Sequence, residues 1–336
     1  MIDISKDKAL RQYLLEKDII QGPEEYSFHY CKGGVSCTVA LVHIGERIII
    51  LKQGLAKLRV QEEWECDPNR MYIEQRCNQI YHQFVPECAP EVYFYDEENY
   101  IYGREAVPED WHTWKEELIQ GVLNFNISEQ AISALVTVHN HCAGNTEIQR
   151  EFWNKDIFYS LRVSPYIEFI VSKYPQLQSR ATEVIQLLMD NAITLVHGDF
   201  SPKNIMTDGT KIQILDYEVA HFGHPAFDLA FFSTHFILKA IKNKQWSSAY
   251  MNMLECMLDA YFFKEQYMDS RKLRKDFLQI LPFMILARVD GKSPAEYIKE
   301  QVDKDRLRTI AFQLMDHPLS EYQDAISIIS NINGGI

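Results

Sequence analysis

Residues 195–230 read LVHGDFSPKNIMTDGTKIQILDYEVAHFGHPAFDLA, and the fold turns on how this stretch is parsed. A short apolar run, Thr194-Leu195-Val196, leads into His197-Gly198-Asp199, and Asn204 follows five residues after the aspartate. Ile205-Met206 and Ile212 to Leu215 are further apolar runs joined through Asp208-Gly209, which reads as a β-hairpin. Asp199 and Asn204 then lie on the loop entering the hairpin, and Asp216 stands at its exit.

Two acids and an amide so placed suit phosphoryl transfer from ATP. That chemistry needs one carboxylate to orient the hydroxyl nucleophile, and a carboxylate with an amide oxygen to hold Mg²⁺ on the phosphates. The order D-x-x-x-x-N, hairpin, D is also that of the kinase catalytic loop and its metal-binding aspartate. Two readings compete. An aspartate beside glycine often makes no more than a turn, which leaves room for a nucleotide-binding interaction protein without catalysis. His197, His221, His224 and His235, with Asp199, Asp216 and Asp228, could instead be the metal cluster of a hydrolase. The chain upstream favours a kinase, because a hydrolase would leave it unexplained.

A length of 336 residues gives one large domain or two modest ones, enough for a sizeable core. With 46% apolar and 24% charged residues the chain reads as soluble and globular. A formal charge of −13 argues against a nucleic-acid partner, which would want a basic stripe. It suits a cationic substrate, although solubility alone is a common cause. Residues 1–16 mix charges throughout and show no signal peptide, and no apolar run reaches membrane-spanning length. Seven cysteines without CxxC spacing read as reduced thiols in the cytoplasm. The expected partner is a small molecule bearing a hydroxyl, bound by a monomer or a homodimer.

Upstream, residues 1–20 read as a leading helix, followed by strands over 26–31 and 37–44. The loop between them carries Gly33, Gly34 and Ser36, whose backbone could approach phosphates because no Cβ intervenes at the glycines. A third strand, Arg47 to Lys52, ends in a lysine placed to contact ATP phosphates and pair with a glutamate on the next helix. That helix is expected from Asp67 as N-cap and Pro68 at its first position, with Ile73, Cys77, Ile80 and Phe84 as its apolar stripe and Glu74 nearby. A hairpin over 90–104 comes next, and 104–108 is the expected hinge, with adenine against the backbone at Glu105 and Val107. Composition then turns helix-rich, which sets an N-terminal lobe at 1–107 and a C-terminal lobe at 108–336. Residues 110–192 read as helices, one of them capped by Ser128, and 232–330 is again helical.

With Lys52, Glu74, Asp199, Asn204 and Asp216 in order, the chain resembles the aminoglycoside phosphotransferase and choline kinase superfamily. HGDFSPKNIM matches its H-G-D-x-x-x-x-N loop. ILDYE with HFGHPAFDLA matches its D-[FWY]-E and G-x-P-x-x-D-L-A. LKQGLAKLRV, DPNRMYIE and EVYFYDEE look like the small lobe of methylthioribose kinases. The resemblance implies an α+β, bilobal protein-kinase-like fold, with a small antiparallel sheet lobe plus one helix and a larger, mainly helical lobe. It implies Asp199 as catalytic base, with Asn204, Asp216 and Glu218 as Mg²⁺ ligands. Lys52 would lie on the α/β phosphates, Glu74 on Lys52, and Asp228 would tie down the loop. Arg288 and Arg162 are candidates for substrate contact. The loop departs from the HGDLHTGS of methylthioribose kinases, and Ala287 stands where their arginine pair has its first member. The broader family, rather than that enzyme's substrate, is therefore implied.

Overall fold

A computed structural model describes residues 2–22, 26–31, 37–55 and 67–334. Gly33, Gly34 and Ser36 lie outside the described residues. The chain forms two compact units, one of Met1–Asp110 with Leu215–Glu218, the other of Trp111–Ile214 with Val219–Ile336. The segment Leu215–Glu218 therefore groups with the N-terminal residues, although the sequence reading keeps 108–336 in one piece.

The first unit is an antiparallel sheet of five strands: β1 (Tyr26–Tyr30), β2 (Cys37–Ile44), β3 (Arg47–Gly54), β4 (Val92–Asp96) and β5 (Ile101–Glu105), in the order β1-β2-β3-β5-β4. Side chains alternate across a strand. Ile49 and Leu51 therefore share one face with Ala40, Val42 and Ile101, and cluster there with Leu10, Tyr13 and Leu14 of the helix Asp7–Glu16. Lys52 falls on the opposite face, paired in register with Tyr102. Parity thus delivers the lysine to the side where Met71 of the helix Arg70–Phe84 packs on Cys37 and Tyr102.

That helix starts later than its expected cap. Asn69 is already helical in backbone, and Asp67 closes the preceding turn by accepting from the N–H of Asn69 at 2.9 Å and of Arg70 at 3.2 Å. Pro68 lies inside that turn. Nor is the inward face the apolar stripe: Ile73 and Phe84 are half-buried, while Arg70, Glu74, Gln75 and Asn78 are buried with Cys77 and Ile80. A helix that buries polar groups in this number is positioning them, since each must find a partner.

The second unit is mainly helical and carries short strands. These are β6 (His112–Thr113), β7 (Thr194–Val196), β8 (Ile205–Thr207), β9 (Ile212–Ile214) and β10 (His221–Gly223). β6 breaks the run of helices expected over 110–192 by pairing with β8. The expected hairpin is β8–β9, with Ile205 opposite Ile214, and β7 pairs with β10. Ser128 is not a cap: the helix Phe125–Cys142 is capped by Asn124, and Ser128 Oγ donates back to the Phe125 carbonyl at 2.8 Å. The helix Ala226–Lys242 is buried on every side from Ala226 to Ile241, as expected of a central helix. No described helix is long and apolar enough to cross a membrane.

Two glycines make the loops possible. Gly209 turns the hairpin at φ +89°, and Gly198 sits at φ +77° beside the Val219 carbonyl. A Cβ at Gly198 would lie 2.6 Å from that oxygen. Gly198→Ala is expected to destabilise the protein by about 1–3 kcal/mol, read as a lowered urea midpoint. An unchanged midpoint would refute the packing argument.

Candidate active site

In the first unit, Lys52 Nζ lies 2.6 Å from Glu74 Oε1 and 2.9 Å from Asp216 Oδ1. The Tyr102 hydroxyl donates to the same Glu74 oxygen at 2.8 Å. Burial raises the Glu74 pKa, and the Lys52 ammonium beside it works in the opposite direction. Burial works against the charge on Lys52, but Asp216 and Glu74 outweigh it and hold the lysine well above its ordinary pKa. Glu74 is 1% exposed and Asp216 32%, so the cation is fixed from inside and presented beside a more open carboxylate.

Asp216 itself has φ +71°, a left-handed conformation that aspartate tolerates better than most residues. Its neighbours hold the bend. Tyr217 is buried with its ring 4.8 Å from that of Tyr81, and Glu218 Oε2 accepts from Arg70 Nε at 3.1 Å. The D-Y-E triplet is thus pinned residue by residue to β3 and to the helix Arg70–Phe84. Glu105 closes β5 and is exposed, its N–H on the Glu91 carbonyl at 2.8 Å and its own carbonyl accepting from Arg104 at 2.7 Å. Val107 follows, half-buried.

In the second unit, Asp199 is 3% exposed and densely held. Its Oδ2 accepts from Asn204 Nδ2 at 2.9 Å and lies 2.9 Å from Lys203 Nζ, while its Oδ1 lies 2.9 Å from Arg162 Nη2. Arg162 Nε donates to the Gly198 carbonyl at 2.8 Å. Arg162 comes from Tyr159–Glu168, a stretch of wide i→i+5 turns, a geometry that often marks functional sites. Asn204 spends its amide N–H on Asp199, whose main-chain oxygen it also reaches at 3.0 Å, so its Oδ1 remains the donor atom suited to a cation.

Beneath this loop lies Asp228. Its Oδ2 accepts from the His197 N–H at 2.8 Å and its Oδ1 from the Gly198 N–H at 2.9 Å, with His139 Nε2 3.3 Å away. Full burial alone would raise its pKa. The hydrogen bond and charge of His139, with the charge and N–H of His197, bring it below the ordinary value instead.

Three of the four histidines of the hydrolase alternative have other work. His221 stacks on Phe158 at 3.9 Å and His224 pairs with Asp276 at 3.0 Å, while His197 belongs to the loop. None of them joins a cluster of three metal-capable side chains among the described residues; such clusters are His29, His43 and Glu109, and Cys37, Glu74 and Glu218. Burial lowers the His221 pKa from 6.5 to about 4, so the fold keeps this imidazole neutral. Its contribution to stability is whole above pH 6.5 and is lost as pH falls through about 4. That window is worth about 3 kcal/mol, and His221→Phe should flatten it in urea titrations run from pH 7 to 4.

Arg288, the other arginine singled out, donates from Nη1 to the Ser293 carbonyl and to Ser293 Oγ at 3.1 Å. Sequence reasoning missed Arg70, Tyr102 and Lys203. Arg70 could have been found, since it precedes Glu74 by four residues and so shares its helix face. Lys203 adjoins Asn204 inside the motif. Tyr102 required the register of β3 against β5.

A family model described as a phosphotransferase enzyme family matches residues 74–250. Methylthioribose kinase of Bacillus cereus is 24% identical over 267 residues, covering 69% of this chain and 68% of that protein. Among solved structures, a choline/ethanolamine kinase family protein from Mesorhizobium loti superposes with TM-score 0.57 at 15% identity, over 96% of this chain and 98% of that one. Plasmodium vivax ethanolamine kinase gives TM-score 0.51 at 15% identity, over 98% of this chain and 88% of that one. At such identities the structures speak to fold alone. They share the kinase-like pairing of a small antiparallel sheet lobe with a larger helical one.

Proposed function

Because the chain belongs to the phosphotransferase enzyme family, we propose that it moves the γ-phosphoryl group of ATP to a hydroxyl of a small molecule. The observation that carries the reading is Lys52, a half-buried ammonium locked between Glu74 and Asp216. No purely structural need calls for a lysine there, since removing two carboxylates and an ammonium from water is costly. An ammonium with two of its three directions fixed is a receptor for a third anionic partner, here the phosphates.

Each residue then has a task. Lys52 takes the α/β phosphates, with Glu74 and Tyr102 holding it in line. Asp199 orients the acceptor hydroxyl and receives its proton, and Arg162, Lys203 and Asn204 fix the rotamer of that carboxylate. Asp216 and the Oδ1 of Asn204 are hard oxygen donors of the kind Mg²⁺ takes, and Glu218 stands two residues from the first. Mg²⁺ held by such oxygens would neutralise charge developing on the phosphates. Gly33, Gly34 and Ser36 are assigned to the phosphate loop, and the backbone at Glu105 and Val107 to adenine. The acceptor is a hydroxylated metabolite, and the methylthioribose kinase likeness favours a sugar-like one.

The reading is tested by ATP consumption over a panel of hydroxylated metabolites, with and without Mg²⁺. Lys52→Ala should lower kcat/KM by roughly 10²–10³-fold, the scale of removing one preorganised electrostatic contact, and chelation should abolish turnover. Tight ATP binding with no transfer to any acceptor would make the protein a nucleotide-binding relative without catalysis.

A further inference from the structure

Close to Asp199 lies a group of cations that the transfer reaction does not use. Lys239, on the central helix Ala226–Lys242, is 1% exposed, and its Nζ donates to the carbonyl of His235 at 3.2 Å. Among the described residues it has no carboxylate within ion-pair distance. Its ammonium lies 5.6 Å from the centre of the Tyr297 ring, and that of Lys115 lies 5.9 Å from the same centre. Three polar atoms nearby are buried without a hydrogen-bond partner: His235 Nε2, Arg288 Nε and the Tyr297 hydroxyl. His235 is 7% exposed. Among the described residues the only acid that bears on Lys239 is Glu296, which is paired with Lys115 and 63% exposed, so water screens much of its charge.

The charges confirm how unbalanced the group is. Burial, followed by Lys115 and Arg288, drives the Lys239 pKa down to about 7, with Glu296 alone opposing. Burial lowers His235 well below its ordinary value, and Lys239, Arg288, Lys203 and Lys115 push it further the same way. Lys203 is the residue whose Nζ stands 2.9 Å from Asp199 Oδ2. A second link runs through Phe231, whose ring centre is 5.3 Å from that of His235 and 5.4 Å from the Arg162 guanidinium carbon. The cation group therefore borders the carboxylate assigned to the acceptor hydroxyl.

A chain carrying −13 overall has ample acid to balance such a site, yet among the described residues only one exposed glutamate bears on it. Left as it is, a desolvated ammonium among other cations and orphaned donors is destabilising, and apolar side chains would pack there more favourably. Near neutral pH the amine can shed its proton, and a bound anion would instead hold the ammonium form and restore the balance. We propose that the acceptor carries an anionic group, a phosphate or a carboxylate, which seats on Lys239, Lys115 and Arg288 while its hydroxyl faces Asp199. The proposal rests on the phosphotransferase reading for the role of Asp199. It narrows the substrate class away from neutral and cationic acceptors.

Two measurements test it. In the first, transfer from ATP is assayed over matched sets of acceptors: sugars against sugar phosphates, and hydroxy acids against their amides and the corresponding amino alcohols. Anionic members should be preferred at least tenfold in kcat/KM, the phosphate and carboxylate arms separating the two chemistries. Lys239→Met should raise the acceptor KM at least tenfold and leave the KM for ATP within twofold. A best acceptor that is neutral or cationic, or an acceptor KM that Lys239→Met does not move, overturns the proposal. The second measurement is independent of turnover. Inorganic phosphate and acetate, each against chloride at equal ionic strength, are titrated while thermal unfolding is followed. At least one should raise the melting temperature of the native protein and neither that of Lys239→Met; no shift in the native protein, or equal shifts in both, overturns the subsite. An anion-dependent shift without transfer to any acceptor would keep the subsite and discard the transfer reaction, so the two failures are distinguishable.

Discussion

Asp199→Asn is expected to lower turnover by about 10³–10⁴-fold while leaving the protein folded, the upper range for loss of a positioned general base. The substitution keeps the volume of the side chain and the backbone bonds that set the loop. It replaces one carboxylate oxygen by an NH₂ group facing either the guanidinium of Arg162 or the ammonium of Lys203, both 2.9 Å from the native oxygens. Whichever way the amide turns, one donor meets another. The side chain can then neither accept the acceptor's proton nor hold the native rotamer. Single-turnover kinetics at saturating nucleotide, with circular dichroism to verify the fold, provide the measurement. A variant that retained a tenth of native turnover would remove Asp199 from the role of base.

Asp228→Ala is expected to cost stability first and activity as a result. The native carboxylate accepts from two consecutive backbone N–H groups, those of His197 and Gly198, and faces His139 from 3.3 Å, all of them buried. Alanine would orphan these donors in a place water does not reach. Breaking a buried, hydrogen-bonded charge network in this way costs about 3–5 kcal/mol, a large share of what holds a typical domain together. Asp228→Asn should fall between, because a single amide oxygen cannot serve both N–H groups. Acid should act in the same direction. The native pKa lies below the ordinary aspartate value. The contribution of Asp228 is therefore complete above the ordinary range and is lost as pH falls through the native pKa. Urea midpoints at pH 7 and at a pH well below the ordinary aspartate value of about 3.9 measure both effects, and a loss below about 1 kcal/mol in Asp228→Ala at pH 7 would show the network to be slack.

The parts of the fold legible in the sequence are those set by short-range chemistry. Asp208-Gly209 fixes the hairpin because only a few residues suit the turn, and Asp199 and Asn204 are carried on the loop before it. Lys52 could be placed because a β-branched run leads straight into it, although β3 continues to Gly54. What escaped depends on contacts between distant segments. Arg162 is singled out in the sequence for substrate contact, but its reach to Asp199 from wide helical turns has no local signature. His139 lies 89 residues from its partner Asp228. The boundary of the helix Arg70–Phe84 was misplaced because Asp67 and Pro68, good signals for a helix start, build the turn before it instead. The apolar stripe on that helix was only partly right, since the inward positions are shared with Arg70 and Glu74, and a periodicity argument looks for grease there.

Four residues, Leu215–Glu218, complete the first unit although more than a hundred residues separate them from the rest of it. They bring the second carboxylate to Lys52, the aromatic cover to Tyr81 and the counter-ion to Arg70. A gene fragment stopping at Asp110 would encode the sheet but none of these. Recombination between relatives is constrained in the same way: exchanging the leading third of the gene alone pairs a foreign lysine, tyrosine and arginine with a resident D-Y-E. The first unit is therefore inherited as two pieces that must travel together, and a chimera that ignores the shorter one is expected to lose its cation socket before it loses its strands.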